Sequence, residues 1–456
     1  MNELNDTIVA IATAQGEGAL GVIRLSGKDS ISIANEVFKG ENLLNQASHT
    51  IHYGFIVANN KTIDEVIVSI FKAPKSYTTE DSIEISCHGS LYIQEQIVAI
   101  LIENGARIAN PGEFTLRAFL NGRIDLSQAE AVADLIASNS ESSKQIALNQ
   151  LRGGFTNELS QLREELINYA SLVELELDFA EEDVDFADKD AMKSLIIKLN
   201  NKIEPLISSF KLGNAIKNGI NVAIVGKPNA GKSTLLNALL NEDRAIVSEI
   251  AGTTRDTIEE TLNINGVLFR FIDTAGLRET TDTIEKIGVK KAFEQIDKSA
   301  VYIYLFDLKT TNISEVEKEL EDLNSDVPRI LLANKTDLVS EQKLKEFQNS
   351  EYNFLYISAK EKESTNILKD TLYSKVIDTE ISSADTIVSN IRHYKALQEA
   401  NIALKEALEG LEMDITGDLL AQSIRIALRE LGNITGEIDI DQDILGTIFS
   451  KFCIGK

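Results

Sequence analysis

Residues 220–240, INVAIVGKPNAGKSTLLNALL, constrain the fold more than any other segment of the chain. Their apolar, β-branched start predicts a buried strand, and the run after the last glycine is typical of a helix. Between the two lies the pattern G-x-x-x-x-G-K-[ST], made by Gly226, Gly231, Lys232 and Ser233. Glycines let backbone N–H groups converge on phosphate, the lysine adds positive charge, and the hydroxyl can bind Mg²⁺. The segment therefore predicts a phosphate-binding loop rather than a chance match in an ordinary strand–turn–helix.

Four more motifs follow and define the nucleotide. They are GTTRD at 252–256, DTAG at 273–276, NKTD at 334–337 and SAK at 358–360. We expect each at or near the C-terminal end of a strand, where open α/β sheets bind ligands. The carboxylate of Asp337 can accept two hydrogen bonds from guanine, which adenine cannot donate. The predicted GTP contacts are Gly226, Asn229, Ala230, Gly231, Lys232, Ser233, Thr234, Ser248, Thr253, Thr254, Asp273, Thr274, Ala275, Gly276, Asn334, Lys335, Asp337, Ser358, Ala359 and Lys360.

The same motifs predict part of a catalytic centre. Asp273 and the hydroxyls of Ser233 and Thr254 can supply hard oxygen ligands around Mg²⁺. After the DTAG motif stands Leu277, where Ras-type enzymes have a glutamine that orients water, so another group must do this. Asn229 either holds a monovalent cation beside the phosphates or only stabilises the loop as a turn residue.

The order of elements predicts a multidomain α/β protein. Residues 1–120 mix strands and helices as an α+β domain, and residues 216–380 alternate them as an inserted, Ras-like P-loop domain with a largely parallel sheet. Residues 121–215 and 381–456 have the 3.6-residue apolar period of a helical bundle, whose two halves flank the inserted domain. We expect a linker at 213–218, where the helical pattern weakens.

Composition excludes several functions. The formal charge of −26 repels phosphate backbones, so direct nucleic-acid binding is not the default. Cys87 and Cys453 are too far apart for a disulfide framework, and the four histidines lack metal-ligand spacing. No apolar run of about 18 residues and no signal peptide are present, so we expect a soluble cytoplasmic protein without a membrane partner. The terminal Cys453 is either a frayed thiol or one activated by a neighbouring lysine.

Over its whole length the chain resembles the MnmE (TrmE) family of tRNA modification GTPases. The resemblance rests on DTIVAIATAQGEGALGVIRLSG, PGEFTLRAFLNGRIDLSQAEAVADLI, GKPNAGKSTLLN, DTAGLR and the terminal CIGK. It implies an N-terminal domain that binds tetrahydrofolate, is similar to the aminomethyltransferases and mediates homodimerisation. The family often has lysine where this chain has Arg123, a change that keeps the charge but alters its geometry. The folate contacts that the resemblance implies are Arg24, Glu84, Arg123 and Lys456.

The resemblance also implies K⁺-stimulated GTP hydrolysis, in which the two GTPase domains of a dimer pair transiently. Glu285 would orient the attacking water in place of the missing glutamine, and Cys453 would take part in the modification chemistry. Ser233 and Thr254 would hold Mg²⁺. The implied K⁺ ligands are Asn229, Ser248, Ile250 and Thr253.

The reaction implied by the resemblance installs an aminomethyl or carboxymethylaminomethyl group at C5 of the wobble uridine (position 34) of certain tRNAs. The one-carbon unit would come from 5-formyl- or methylene-tetrahydrofolate. The partner would be the flavoprotein MnmG, carrying FAD, in a heterotetramer. The alternative is a ribosome-assembly or signalling GTPase that only switches binding. The N-terminal stretch and the CIGK tail favour the modification enzyme.

Overall fold

The computed structural model describes residues 6–14, 16–178, 189–241, 260–272, 294–323, 325–376, 387–413, 417–436 and 455. The chain divides into two compact units. One comprises Met1–Ala137, Leu148–Asn200 and Glu399–Lys456, and the other Ser138–Ala147 and Asn201–Gln398. The predicted domain boundaries at 120, 215 and 380 stay predictions.

The first unit contains a seven-stranded sheet. Its strands are β1 (Ile8–Ile11), β2 (Gly18–Ser26), β3 (Phe38–Lys39), β4 (Thr50–Ala58), β5 (Lys61–Phe71), β6 (Ser82–Gly89) and β7 (Arg107–Ile108). The spatial order is β3-β4-β5-β6-β2-β1-β7. Neighbours are antiparallel except β1 and β7, which are parallel. The predicted mixture of strands and helices in this part of the chain is therefore confirmed.

One face of this sheet is covered by two helices, α1 (Ser30–Val37) and α2 (Leu91–Glu103). Their apolar residues form a single core with the inward side chains of the strands. β5 alternates buried and exposed residues along most of its length, as expected for an antiparallel strand with one face on the core. On the opposite face, Ile8 and Ala10 of β1 pack with Ala109 and Phe114 in a second, smaller core.

Five helices follow in the chain. They are α3 (Glu113–Leu120), α4 (Leu126–Ala137), α5 (Glu141–Leu151), α6 (Thr156–Asp178) and α7 (Lys189–Asn218). Their length and apolar period follow the helical texture of the sequence. The predicted linker at 213–218 is wrong, because α7 continues to Asn218.

Gly213 explains why the sequence signal failed there. A Cβ atom on Gly213 would overlap the backbone oxygen of Val388, which passes close to α7. Glycine weakens helix propensity by about 1 kcal/mol, so the pattern looks like a break. The close approach of a second backbone segment, rather than a need for flexibility, requires glycine at this position.

The second unit contains a six-stranded sheet. Its strands are β8 (Ile220–Val225), β9 (Glu260–Ile264), β10 (Val267–Phe271), β11 (Val301–Asp307), β12 (Arg329–Asn334) and β13 (Phe354–Tyr356). The spatial order is β13-β12-β11-β8-β10-β9, and only β9 is antiparallel to its neighbour among these described strands. The parallel strands match the predicted ones, whereas β9 was not predicted.

Helices cover both faces of this sheet. They include α8 (Lys232–Asn241), α9 (Ile313–Asp322), α10 (Glu341–Gln348) and α11 (Lys362–Val376). Val222 and Ile224 of β8 belong to one core, and Ala223 and Val225 belong to the core on the opposite face. A strand buried on both faces reads as a continuous apolar run, which is the pattern of this segment. The predicted doubly wound domain is confirmed.

Two helices close the described part of the chain, α12 (Ile391–Glu412) and α13 (Gly417–Thr435). α13 lies along α6 in the first unit, where the Arg163 Nε donates to the Leu428 backbone oxygen at 3.1 Å. Lys193 of α7 pairs with Glu412 of α12 at 2.7 Å. None of the described helices is both long and apolar enough to cross a membrane.

We expect Gly213→Ala to destabilise the protein even though alanine is the better helix former. The added Cβ forces α7 and the Val388 backbone apart, at a cost of about 1–3 kcal/mol in the free energy of unfolding. Urea unfolding measures the change. Lys211→Ala, at an exposed position of the same helix, is the control and should change stability by less than about 0.5 kcal/mol. A Gly213→Ala protein as stable as the native one would contradict the close approach.

Candidate functional site

The loop between β8 and α8 has the backbone that a phosphate cradle requires. Gly226 has φ 146° and Gly231 has φ 103°, both in the region that favours glycine. A Cβ on Gly226 would overlap the Leu305 backbone oxygen, and one on Gly231 would overlap the Asn334 side-chain nitrogen. Close contacts with other strands of the sheet therefore require glycine at both positions, in addition to the backbone conformation.

Lys232 begins α8 and folds back over this loop. Its ammonium donates to the backbone oxygens of Gly226 and, at 3.1 Å, of Lys227. Burial lowers the pKa of Lys232. A phosphate oxygen would offset that effect, since a neighbouring negative charge favours the charged ammonium. Ser233 and Thr234 follow in the first turn of α8 with exposed side chains, where their hydroxyls can reach a ligand.

Asn229 lies at the exposed tip of the loop with φ 63°. Asparagine tolerates this left-handed conformation better than most residues. The geometry agrees with the interpretation of Asn229 as a turn residue, and it also leaves the side-chain amide at the surface.

Asn334 joins the phosphate loop to the SAK motif. Its Nδ2 donates to the Ala230 backbone oxygen at 2.8 Å, and its Oδ1 accepts from the Ala359 N–H at 3.0 Å. Only 2% of Asn334 is exposed, and these two contacts use one of the two N–H donors and one of the two acceptor positions of its amide. Its predicted contact with GTP stays a prediction. Ser358 and Ala359 are buried beside it.

Lys335 and Asp337 lie just beyond β12. Lys335 has φ 66° and leads into a short 3-10 helix, Thr336–Leu338, which carries Asp337 with an exposed side chain. The Lys335 Nζ donates to the Asn229 backbone oxygen at 3.0 Å. Lys360 is likewise exposed. The structure therefore brings the phosphate loop, the NKTD motif and the SAK motif to one edge of the sheet, as predicted.

Several predicted site residues cannot be placed in this way. They lie outside the described residues and stay predictions: Ser248, Ile250, Thr253, Thr254, Asp273, Thr274, Ala275, Gly276, Glu285, Cys453 and Lys456.

A second cluster of predicted residues lies in the first unit. Arg24 on β2 stands directly opposite Glu84 on β6. The Arg24 Nη2 and Nε lie 2.8 Å and 3.0 Å from the same Glu84 oxygen, Oε1. The guanidinium carbon also lies 5.3 Å from the centre of the Tyr77 ring and 5.7 Å from that of the buried Phe114. The other Glu84 oxygen is not used by Arg24.

Arg123 approaches the same tyrosine from the end of α3. Its guanidinium carbon lies 4.9 Å from the centre of the Tyr77 ring, and its Nη1 donates to the Tyr77 backbone oxygen. The backbone oxygen of Gly455, in the C-terminal tail, lies 3.5 Å from the Arg24 Nη1. The structure thus brings Arg24, Glu84 and Arg123 together around Tyr77. Tyr77 was not predicted, and its only signal in the sequence is its place as an aromatic residue in the polar stretch KSYTTED.

Next to this cluster is a buried charge network with a structural role. Arg117 is 1% exposed and its guanidinium bonds to Asp6 at 2.6 Å and to Glu113 at 3.0 Å. Burial opposes ionisation of the Asp6 carboxyl, but hydrogen bonds from Arg107 and Arg117 outweigh it and lower the Asp6 pKa. Arg107 pairs with Asp6 and Glu113 as well, so the charges are neutralised within the fold, although the buried Arg117 Nε has no hydrogen-bond partner among the described residues.

The two sheets and their loops define the class of the protein. The second unit is a P-loop GTPase domain of the guanine-specific type, since its phosphate loop, NKTD motif and SAK motif meet at the C-terminal edge of a parallel sheet. It is joined in one chain to an α+β domain and to long helices.

Comparisons with known proteins identify the family. A model described as "GTP-binding protein TrmE N-terminus" matches residues 7–123, and one described as "MnmE helical domain" matches residues 126–453. Proteins named tRNA modification GTPase MnmE from Flavobacterium johnsoniae, Cytophaga hutchinsonii and Christiangramia forsetii are 54%, 53% and 52% identical over 463, 452 and 474 aligned residues. These alignments cover 99%, 99% and 100% of this chain and 99%, 98% and 100% of the relatives. The chain belongs to the MnmE family of tRNA modification GTPases, and it is a GTP hydrolase of tRNA modification.

Cys87 can be set aside as a nucleophile. It is buried in the core of the first unit, and its thiol lies 3.5 Å from the Gly21 backbone oxygen. Burial, and secondarily the charge of Asp64, raise its pKa to about 11. The thiol therefore stays protonated at neutral pH, and thiols react as thiolates.

We expect Cys87 to be inert in the native protein. In a Cys453→Ser variant, Cys87 is the last cysteine of the chain. A thiol-specific chromogenic reagent at about pH 8 should not label that variant while it is folded, because the raised pKa and burial both exclude thiolate formation. The same variant unfolded in guanidinium is the control and should release one equivalent of chromophore. Rapid labelling before unfolding would contradict the buried position.

Proposed function

We propose that the chain is a K⁺-stimulated GTPase that acts with an FAD-carrying MnmG-type flavoprotein in a heterotetramer. Together they install an aminomethyl or carboxymethylaminomethyl group at C5 of the wobble uridine (position 34) of certain tRNAs. The observation that carries the proposal is the presence, in one chain, of a guanine-nucleotide edge and a separate Arg24–Glu84–Arg123 cluster. Family membership favours this function over a ribosome-assembly or signalling switch. The proposed tRNA substrate also supports the predicted cytoplasmic location.

For the nucleotide, we assign each contact from its place on the sheet edge. The loop N–H groups and Lys232 hold the phosphates, and the exposed hydroxyl of Ser233, with Thr254, holds Mg²⁺. Bound Mg²⁺ would neutralise charge that develops on the phosphates. Asp337 accepts the two guanine hydrogen bonds, and its exposed side chain is free to do so.

For K⁺, the support comes from Asn229. Its backbone oxygen accepts from Lys335, so its exposed side-chain amide is the group it can still offer. A cation there would supply positive charge beside the transferring phosphate. The further ligands remain Ser248, Ile250 and Thr253, and Glu285 remains the residue that orients the attacking water.

We expect Asp337→Asn to change the base that the enzyme uses. An asparagine offers one acceptor and one donor, which matches the N–H and the carbonyl oxygen of xanthine rather than the two donors of guanine. The variant should lose at least about 100-fold in kcat/KM for GTP and hydrolyse XTP better than GTP. Steady-state hydrolysis of both nucleotides is the measurement. Glu351→Gln, an exposed change of equal charge, is the control, and retained preference for GTP in Asp337→Asn would remove Asp337 from base recognition.

For the folate, the cluster around Tyr77 offers the required chemistry. A pterin edge carries N–H donors, which a partly exposed carboxylate such as Glu84 can accept. The exposed Arg123 can pair with the glutamate carboxylate of 5-formyl- or methylene-tetrahydrofolate, and Lys456 would add a second cation. Arg24 holds Glu84 and lies over the rings of Tyr77 and Phe114. The proposed similarity of this domain to the aminomethyltransferases rests on the family resemblance. The one-carbon unit would be supplied there, and Cys453 would take part in the modification chemistry.

We expect Arg24→Gln to separate the two activities. It removes the charge that holds Glu84, so affinity for 5-formyl-tetrahydrofolate should fall about tenfold or more. Intrinsic GTP hydrolysis should be retained, while nucleoside analysis of cells with only this variant should show wobble uridines without the C5 group. Lys61→Gln, an exposed change on the same sheet, is the control. Normal folate binding by Arg24→Gln would exclude the cluster as the folate site.

A homodimer is supported by the outer face of the seven-stranded sheet. Tyr53 on β4 and Ile67 on β5 stand opposite each other, with 61% and 46% of each residue exposed. Ile51 and Leu20 are 70% and 69% exposed. Exposed apolar surface of this kind is typical of a protein interface. Register places Arg24 on the same face, so a second copy seated there would lie beside the proposed folate site.

A further inference from the structure

The phosphate loop is connected, through Lys335, to a carboxylate that none of the nucleotide motifs contains. Asp307 is the last residue of β11, and it pairs across the sheet with Asn334 at the end of β12. Its Oδ2 lies 2.7 Å from the Lys335 Nζ. The same ammonium donates to the backbone oxygen of Asn229 at 3.0 Å. A continuous chain of charged and polar contacts therefore runs from the sheet edge to the phosphate loop.

The orientation of the Asp307 carboxylate is fixed by its own turn. Its Oδ1 accepts from the N–H of Lys309 at 3.0 Å, and its backbone oxygen accepts from Thr310 at 3.2 Å and Thr311 at 3.0 Å. The Asp307 side chain is 14% exposed, so solvent has little access to it. Because the carboxylate is held on its own strand, the flexible lysine must move to meet it. The position of the Asp307 carboxylate is thus fixed, and it determines where the Lys335 ammonium lies.

The contacts of Lys335 and Asn334 stabilise a phosphate loop whose backbone conformation is unfavourable by itself. Asn229 and Lys335 both have left-handed backbones, with φ 63° and 66°. Such conformations persist where surrounding contacts hold them. Asn334 donates to the Ala230 oxygen and Lys335 to the Asn229 oxygen, so two successive residues of the NKTD motif hold two successive carbonyls of the phosphate loop. The amide contact is rigid, whereas the ammonium contact depends on where the lysine head lies.

We propose that Asp307 is a positioning residue for guanine-nucleotide binding. By fixing the Lys335 ammonium, it holds the Asn229 peptide in the conformation that receives the phosphates. Without the carboxylate charge, the lysine head, 31% exposed, is free to turn to solvent and release the loop. This inference rests on the nucleotide site proposed above, in which Lys335 takes part, and it adds a residue that touches no nucleotide itself.

A double-mutant cycle in the full-length protein tests the inference. The variants are Asp307→Asn, Lys335→Met and the two combined, and the readouts are the affinity and release rate of a fluorescent GDP analogue. We expect Asp307→Asn to weaken binding about tenfold, mainly through faster release, since a hydrogen bond to a charged group is lost. We expect Lys335→Met to weaken it at least as much. The combined variant should bind no more weakly than Lys335→Met, because Asp307 acts only through the lysine.

The matched control is Glu346→Gln in α10. It removes one negative charge from the exposed Glu346, whose carboxylate lies 3.5 Å from the Nζ of Lys343. It should leave GDP affinity unchanged. Thermal unfolding of each variant shows whether the protein is folded. If Asp307→Asn does not fold, Asp307→Glu keeps the charge and is expected to bind GDP within about threefold of the native value.

Three results would overturn the inference. Native GDP affinity in a folded Asp307→Asn protein would show that the carboxylate has no positioning role. Losses that multiply in the combined variant would show that Asp307 acts independently of Lys335, while leaving the proposed nucleotide site intact. Native GDP affinity in Lys335→Met would instead refute the proposed site, and the inference with it. In the Asp307→Glu alternative, a tenfold loss in a folded protein would also count against it.

Discussion

The side-chain amide of Asn334 is the contact on which the nucleotide edge depends. It is almost completely buried, donates one N–H to the Ala230 carbonyl and accepts a hydrogen bond from the Ala359 N–H. A buried amide that lost either partner would cost about 1–3 kcal/mol, so neither loop can shift alone. Gly231 belongs to the same arrangement, since any side chain there would displace the Asn334 nitrogen. Three motifs far apart in sequence are thereby held as one surface.

The nucleotide domain was largely predictable because its main features produce patterns within short stretches of sequence. A fully buried parallel strand reads as an apolar run, and the phosphate loop follows it with glycines at fixed spacing. β9 has no continuous apolar run, since this short antiparallel strand at the sheet edge alternates buried and exposed residues. The prediction of a linker at 213–218 was wrong for a related reason. Gly213 is required by the close approach of the Val388 backbone, and a contact between distant segments leaves no signal in the helical period of the sequence.

In the first unit, local sequence patterns could not predict the residues of the Arg24–Glu84–Arg123 cluster. Composition and periodicity would leave Arg24 as a surface charge and Glu84 as an ordinary strand residue, and only family resemblance singled them out. Their pairing depends on the register of β2 against β6, which no local pattern fixes. Tyr77 was missed because its role comes from two arginines, Arg24 and Arg123, that approach it from different elements.

The left-handed backbone at Asn229 shows how contacts between distant motifs prepare the phosphate loop for nucleotide binding. A strained residue at the tip of the phosphate loop persists because Lys335 holds its carbonyl and Asp307 holds the lysine. Because these contacts are made within the protein, they favour this loop conformation without a ligand, which reduces the entropy lost on nucleotide binding. The same contacts occupy the Asn229 carbonyl and leave its amide at the surface. A loop built in this way offers the cation proposed at Asn229 a side-chain ligand whose position is decided by the guanine-recognition motif.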